Sequence, residues 1–360
     1  MSTTNRPSTS YHDLASARLE RLWRAVHGGP CPASARALLD TMVLPWGAAP
    51  IPKKPLWPSD IGDDHSPYEF SIALAPNEPP SIRFLVEAQG AEPTLAHTRD
   101  AALDLTERFK AHGVDLARFE RVRSLFLPDV PNARFALWHA ARLSDKLEVK
   151  AYFNPQIAGK ERSFDLVETA MRTLGFESSW PALLEAVQRR TADDEIRYFA
   201  LDLAKGGAAR VKVYFYQRGV TAEHLERMAA IRPGYRRGEV TEFCRAMTGG
   251  DGPYVDYPLC TYLSFVEGTR LPTEVAVQIP VRFYAEDDAA VRDRVVGYMT
   301  SRGLSPNLYE AALGALAPRE LGAAAGLNTY VSLRTGTDRL TVYVATELFG
   351  TMQRASSAAE

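Results

Sequence analysis

Residues 210–216 read RVKVYFY. In a β-strand successive side chains point to opposite faces, so Val211, Val213 and Phe215 share one side and Arg210, Lys212 and Tyr214 the other. The apolar row needs a hydrophobic partner. The second row sets two cations and a phenol side by side, and what that row meets decides the fold.

Working outward, the strand is the second half of a hairpin, IRYFALDLAKGGAARVKVYFYQ from 196, and four other segments share its design. They are YEFSIALAPNEPPSIRFLVEAQ from 68, RFALWHAARLSDKLEVKAYFNP from 134, CTYLSFVEGTRLPTEVAVQIPV from 260 and NTYVSLRTGTDRLTVYVATELF from 328. Connections such as SDK, AKGGAA and TGTD are hairpin chemistry, because Gly, Asp and Asn tolerate positive φ. Between hairpins the hydrophobic period changes from two to 3.6, as in RDAALDLTERFKAH, SFDLVETAMRTLGF, TAEHLERMAAI and DDAAVRDRVVGYMTSRG. Second helical stretches follow, among them SWPALLEAVQRR with Ser179 as a start signal and SPNLYEAALGALA with Pro306 at a first-turn position. Two more, YHDLASARLERLWRAV and ASARALLDTM, precede the first hairpin.

Equivalent residues of the second strands, Arg83, Lys150, Lys212, Gln278 and Tyr343, fall at intervals of 67, 62, 66 and 65. A repeat of that length is one supersecondary unit stacked on its neighbours. About ten antiparallel strands are too many for a flat open sheet, and closure into a barrel removes the edges. The helices then lie outside, against the Val, Ile and Phe rows. The expected fold is α+β: five helix–strand–strand–helix repeats around a barrel with a polar lumen. No linker interrupts the period, so residues 1–360 read as a single domain, with frayed ends at about 1–9 and 351–360.

Composition narrows the function. With 46% hydrophobic and 24% charged residues and a formal net charge of −2, the chain has no global attraction to nucleic acid or to acidic membranes. Three scattered cysteines, Cys31, Cys244 and Cys260, form neither a zinc motif nor a disulfide framework and suit a reducing cytoplasm. No apolar run approaches the roughly 20 residues that span a bilayer, and the first 30 residues lack a signal-peptide core.

In register, Lys150 and Tyr152, then Arg210, Lys212 and Tyr214, then Arg339, Thr341 and Tyr343 repeat one pattern on one face. Arg83 comes from the first hairpin, and Glu274, Ala276 and Gln278 from the fourth. Unpaired buried cations cost several kcal/mol each, so a lumen lined this way holds water and attracts an anion. Pairing with lumen carboxylates such as Glu69 and Glu274, or a plain solvent face, is the competing interpretation. Clustered Arg and Lys suit a diphosphate, and tyrosine faces stabilise a carbocation through the ring quadrupole. Together these are the two halves of an ionising prenyl diphosphate. Glu69, in DDHSPYEFS, is a carboxylate among aromatic residues, able to accept from an indole N–H or act as a base; a salt bridge to a lumen Arg is the alternative.

The repeat, the element Pro67, Glu69, Phe70, Ser71, the Lys-x-Tyr at 150 and 152 and the Arg-x-Lys-x-Tyr at 210, 212 and 214 resemble the ABBA-fold aromatic prenyltransferases. Within them the chain is similar to the bacterial dimethylallyltryptophan synthases; the runs at 279–284 and 330–343 extend the likeness from about residue 10 to 350. The resemblance implies transfer of a dimethylallyl group from dimethylallyl diphosphate to the indole ring of tryptophan or a tryptophan-derived metabolite, with neither cofactor nor metal. It implies that Glu69 anchors the indole and assists proton removal. Arg83, Lys150, Arg210, Lys212, Gln278 and Arg339 would bind diphosphate, and Tyr152, Tyr214, Tyr330 and Tyr343 would shield the cation. Arg197 would meet a substrate carboxylate.

Two departures stand out. Gln278 occupies a place where the family commonly has tyrosine, with Ala276 two residues before it. A lysine that some members carry in the second hairpin is replaced within Leu137, Trp138 and His139, which leaves His139 as either a proton relay or an ordinary strand histidine. The acidic pairs Asp63-Asp64, Asp193-Asp194 and Asp287-Asp288 lack the DDxxD arrangement that holds diphosphate through Mg²⁺, and read as caps or solvated charge. Prenylation of a non-indole aromatic such as a phenazine, or a non-catalytic barrel that binds an anionic small molecule, are the alternative functions. Acceptor identity, regiochemistry, donor length and oligomeric state are not legible in the sequence.

Overall fold

The computed structural model describes residues 9–130, 132–144, 148–188 and 194–351. The frayed ends expected at 1–9 and 351–360 therefore lie almost wholly outside the described residues, as do Asp193 and most of the Ser-Asp-Lys connection.

Each expected hairpin forms. The strands are β1 (Tyr68–Ala75), β2 (Glu78–Val86), β3 (Leu137–Leu143), β4 (Glu148–Phe153), β5 (Glu195–Asp202), β6 (Arg210–Gln217), β7 (Leu259–Val266), β8 (Glu274–Ile279), β9 (Asn328–Arg334) and β10 (Arg339–Val344). All neighbours are antiparallel, and β1 pairs with both β2 and β10, so the sheet closes into a barrel. Closure satisfies every ladder edge within the fold. The turns use the backbone that their residues permit: Asn77, Gly336 and Asp338 all have positive φ.

Two helices precede each hairpin, at 11–27 and 33–47, 95–108 and 117–126, 163–173 and 180–188, 222–229 and 239–248, and 288–301 and 307–316. Ser10, Thr94, Thr221 and Asp287 cap the first helix of four of these pairs, each accepting a backbone N–H three residues on. Pro306 stands one residue ahead of its helix rather than inside the first turn; its φ of −78° serves either place.

The apolar rows face these helices in one continuous core. Phe119 and Phe126, on one face of the helix at 117–126, stack on Phe153 with ring centroids 5.4 and 4.8 Å apart, and Phe126 continues onto Phe199 at 5.2 Å. Phe153 is wholly buried. Phe153→Ala is expected to cost about 3–5 kcal/mol in chemical denaturation, because a cavity between helix and barrel cannot collapse against a closed sheet. Among the described residues no helix is long and apolar enough to cross a membrane.

Candidate active site

The opposite parity fills the lumen. On β6, Val211, Val213 and Phe215 join the helix-side core, while Lys212, Tyr214 and Tyr216 turn inward to a second, tyrosine-rich cluster. Registers across the barrel place the charged residues Arg210, Asp202, Glu274, Arg334 and Arg339 at the end carrying the hairpin turns. Tyrosines occupy the other end. A chamber of about 250 Å³ lies at the tyrosine end, lined by Glu69, Tyr152, Tyr198, Tyr214, Tyr330 and Tyr343 among others. A narrower cavity of about 40 Å³ adjoins Arg83, Arg142, Glu148 and Lys150. Leu85, Tyr152 and Tyr343 line both, so these three side chains form the wall between them.

The hydroxyls of Tyr198 and Tyr216 lie 3.2 Å apart, those of Tyr216 and Tyr330 3.1 Å, and those of Tyr152 and Tyr214 3.4 Å. These contacts tie the phenol hydroxyls to one another along the lumen wall. Glu69 is buried, and its Oε2 accepts from the Thr329 hydroxyl at 3.2 Å. Burial pushes its carboxyl up to about 8, against the opposing pull of that hydrogen bond and of Arg282. In the empty protein Glu69 thus holds a proton at neutral pH.

A segment ahead of β1, Ser59 to Ser66, contributes most of its residues to the chamber lining. Its tightness is local chemistry. Asp64 accepts from the Ser66 backbone N–H at 3.0 Å and its hydroxyl at 2.7 Å, while His65 adopts φ 64° and its backbone N–H donates to the Gly62 carbonyl. A Cβ on Gly62 would approach Asp64 Oδ1 to 2.8 Å, so a side chain there would push that carboxylate aside. The segment delivers two carboxylates to buried arginines. Asp60 pairs with Arg197, and also with Arg134 at 3.1 Å; Asp63 takes Arg282 Nη2 at 2.9 Å. The Arg282 guanidinium further lies 4.7 Å from the Tyr330 ring centroid.

At the charged end Glu274 receives three cations: Arg210 at 3.1 Å, Lys212 at 3.1 Å and Arg334 at 2.9 Å. Burial alone would raise its carboxyl, but Lys212, Arg334 and Arg210 together reverse this and hold it far below the usual carboxylate range. Asp202 takes Arg210 Nε at 2.7 Å. Lys150 has no such counter-ion within pairing distance among the described residues. Its burial, and then the proximity of Lys212 and Arg83, depress its ammonium well below the ordinary lysine range. Lys212 also sits 4.0 Å from the Tyr262 ring centroid.

The structure brings most of the expected residues together in the lumen: Glu69, Tyr152, Tyr214, Tyr330 and Tyr343 line the tyrosine chamber, and Arg83, Lys150, Arg210, Lys212 and Arg339 sit toward the turn end. Arg339 reaches the rim and pairs with Glu78. Gln278 lies among the tyrosines, donating from Nε2 to the Tyr343 hydroxyl at 3.2 Å, and lines the chamber instead of meeting the cations. Arg197 faces the lumen at a bulge in β5, beside Tyr216.

His139 requires a correction. It is on the helix side of β3, wholly buried, with its Nε2 2.9 Å from the Thr106 hydroxyl and its ring 5.4 Å from that of Phe109. Burial holds its imidazolium down to about 3. It relays no proton to the lumen. The parity of Leu137, Ala141 and Leu143, all buried outward, carried that information; Trp138 is the inward neighbour.

The acidic pairs also resolve individually. Asp287 caps a helix, as expected, while Asp288 is buried and paired with Arg319 at 2.7 Å. Asp63 is neither cap nor solvated charge but the partner of Arg282. Sequence reasoning missed Arg334, Tyr198, Tyr216 and Tyr262, all on inward parity, and Tyr257, Arg282 and Asp60, which come from the connections outside the strands. Among the described residues no three His, Cys, Asp or Glu side chains are grouped as metal ligands.

A closed ten-stranded antiparallel barrel, jacketed by helix pairs, with cations at one end of its lumen and tyrosines at the other, defines an aromatic prenyltransferase of the ABBA fold. The chain belongs to the tryptophan dimethylallyltransferase family, whose sequence model matches residues 37–311. It is similar to the 6-dimethylallyltryptophan synthase of Micromonospora olivasterospora in complex with DMASPP and Trp, at 33% identity and a TM-score of 0.88 over 96% of this chain and 100% of that one. The prenyltransferase PriB, in a ternary complex with L-tryptophan and dimethylallyl thiolodiphosphate, matches at 29% identity and a TM-score of 0.85, covering 96% and 99%. The 4-O-dimethylallyl-L-tyrosine synthase of Claviceps purpurea (strain 20.1) is 23% identical over 78% of this chain and 73% of its own length. The enzyme is thus a dimethylallyl-type prenyltransferase.

Proposed function

We propose that this chain, acting as one catalytic domain in the cytoplasm, transfers the dimethylallyl group of dimethylallyl diphosphate to the indole ring of tryptophan. The observation that carries this reading is the common wall of Tyr152 and Tyr343 between the cation-lined cavity and the aromatic chamber containing Glu69. Free buried thiols at Cys31, Cys244 and Cys260 support the reducing compartment.

Arg83, Lys150, Arg210 and Lys212 hold the diphosphate, with Arg334 and Arg339 beside them. Preorganised cations in a water-poor cavity stabilise the charge that develops as the allylic C–O bond breaks, so no metal is required for that step. Tyr152, Tyr214 and Tyr343 present π-faces to the allyl cation, and the wall keeps its apolar end on the chamber side. The indole carbon facing the cation forms the new C–C bond, and the proton on that carbon is then lost to restore aromaticity. Glu69, as carboxylate, accepts the indole N–H and fixes which ring atom faces the donor. Arg197 meets the amino-acid carboxylate in exchange for Asp60.

Incubation with L-tryptophan and dimethylallyl diphosphate should yield one product heavier by a single prenyl unit, with turnover retained in EDTA. Mass spectrometry on a panel including L-tyrosine and a cyclic tryptophan dipeptide checks the acceptor. Product from another acceptor and none from tryptophan would overturn the assignment.

A further inference from the structure

Glu274 opens β8 and faces the lumen, where its two oxygens are shared among Arg210, Lys212 and Arg334 at 2.9–3.1 Å. Asp202 holds the other side of Arg210, accepting from Nε at 2.7 Å and from the backbone N–H at 3.2 Å. A strand-end glutamate whose only task was to neutralise a neighbour would need one arginine. Here one carboxylate gathers three cations from two strands, Arg210 and Lys212 from β6 and Arg334 from β9, including two assigned above to diphosphate.

The open space beside Arg83 and Lys150 is narrow, about 40 Å³. Arg210, Lys212 and Arg334 do not line that cavity, and they can reach an anion seated there only by swinging away from the carboxylates toward it. Fixed carboxylates and bound diphosphate therefore compete for the same N–H donors. A competitor tethered in the wall acts at high effective concentration and cannot be diluted away. The donor offsets this competition with its prenyl group packed on the tyrosines. Free diphosphate has no such group, so the competition weighs most on the product, which must leave before the next turnover.

We propose that Glu274, seconded by Asp202, is a built-in competitor that ejects the diphosphate product by recapturing Arg210, Lys212 and Arg334. This rests on the reading of the basic cluster as the diphosphate site, and the test separates the two. Inorganic diphosphate is titrated calorimetrically into the wild type, Glu274→Gln, Asp202→Asn and Lys212→Met. Glu274→Gln should bind diphosphate at least tenfold more tightly and Asp202→Asn more tightly by a smaller factor. Glu274→Gln should also show a pre-steady-state burst followed by slowed turnover, its single-turnover rate being retained. Lys212→Met should bind at least tenfold more weakly. Unchanged or weaker binding by Glu274→Gln, while Lys212→Met still loses affinity, overturns the ejection role. Unchanged affinity in Lys212→Met overturns the diphosphate site itself. If circular dichroism shows Glu274→Gln unfolded, Asp202→Asn decides: tighter binding sustains the proposal, and any other result ends it.

Discussion

Glu69→Gln should lower kcat/KM for the aromatic acceptor by about 10²-fold or more without lowering the melting temperature at neutral pH, where the uncharged amide escapes the penalty of a raised carboxyl. The amide keeps the shape and can still accept from the Thr329 hydroxyl, so the barrel wall is undisturbed. What it loses is the negative charge that accepts the indole N–H and the basicity that assists loss of the ring proton. The pH profile gives a sharper test. Burial raises the Glu69 carboxyl to about 8, so kcat/KM of the wild type should climb through that pH as the carboxylate forms, and Glu69→Gln should lack that limb. Stability runs the other way. The folded protein keeps a proton that the unfolded chain releases above about 4.3, so this group's contribution to stability is complete below that pH and is lost as pH rises through about 8. Urea titrations at pH 6 and 9 on both proteins measure the difference. A wild-type acceptor profile flat between pH 7 and 9 would sink the assignment.

Lys150→Met should cost about 10²–10³-fold in kcat/KM for the prenyl donor, the scale on which removal of one preorganised charge-stabilising group acts. It should also abolish a proton uptake. In the empty lumen, burial and the nearby Lys212 and Arg83 favour the neutral amine, whereas an arriving diphosphate favours the ammonium. Binding of diphosphate at about pH 8.5 should therefore draw protons from solution. Calorimetry in two buffers of different ionisation enthalpy reads the number taken up. The uptake should be present in the wild type and absent in Lys150→Met; uptake that survives the substitution would move the titrating group elsewhere. The same depressed ammonium makes the empty protein's stability rise with pH from that lowered value toward about 10.4, since the unfolded chain binds the proton more tightly.

Strand parity made the barrel and much of its lumen readable in advance. Lys150, Lys212, Tyr214 and Tyr343 could be placed because their outward neighbours are uniformly apolar, and a shift of one residue would bury charge against the helices. Arg334 and Tyr198 obey the same rule and lay within reach of it, on first strands of hairpins. His139 failed for the opposite reason: its chemistry suggested a role while its parity excluded one. Asp60, Arg282 and Tyr257 were out of reach. Asp60 and Arg282 sit on connections whose paths are fixed by contacts more than a hundred residues away, as between Arg282 and Asp63, while Tyr257 is set by its stack on Phe283 and its bonds to Tyr284, and no local period encodes such meetings. The carboxylate partners of the cations were half visible. Glu274 was placed inward, but that three cations would converge on it depends on side-chain reach across neighbouring strands.

Because the sheet joins itself, neither face can be remodelled by sliding one strand past another. Any drift in what the interior accepts must come from exchanging individual inward side chains, as Ala276 and Gln278 already illustrate opposite Tyr262 and Cys260. Those positions alternate with the ones that grip the helices, so ancestry can rewrite the reaction vessel while leaving its casing alone. Selectivity and robustness are, in this architecture, nearly separate inheritances carried on the same ten strands.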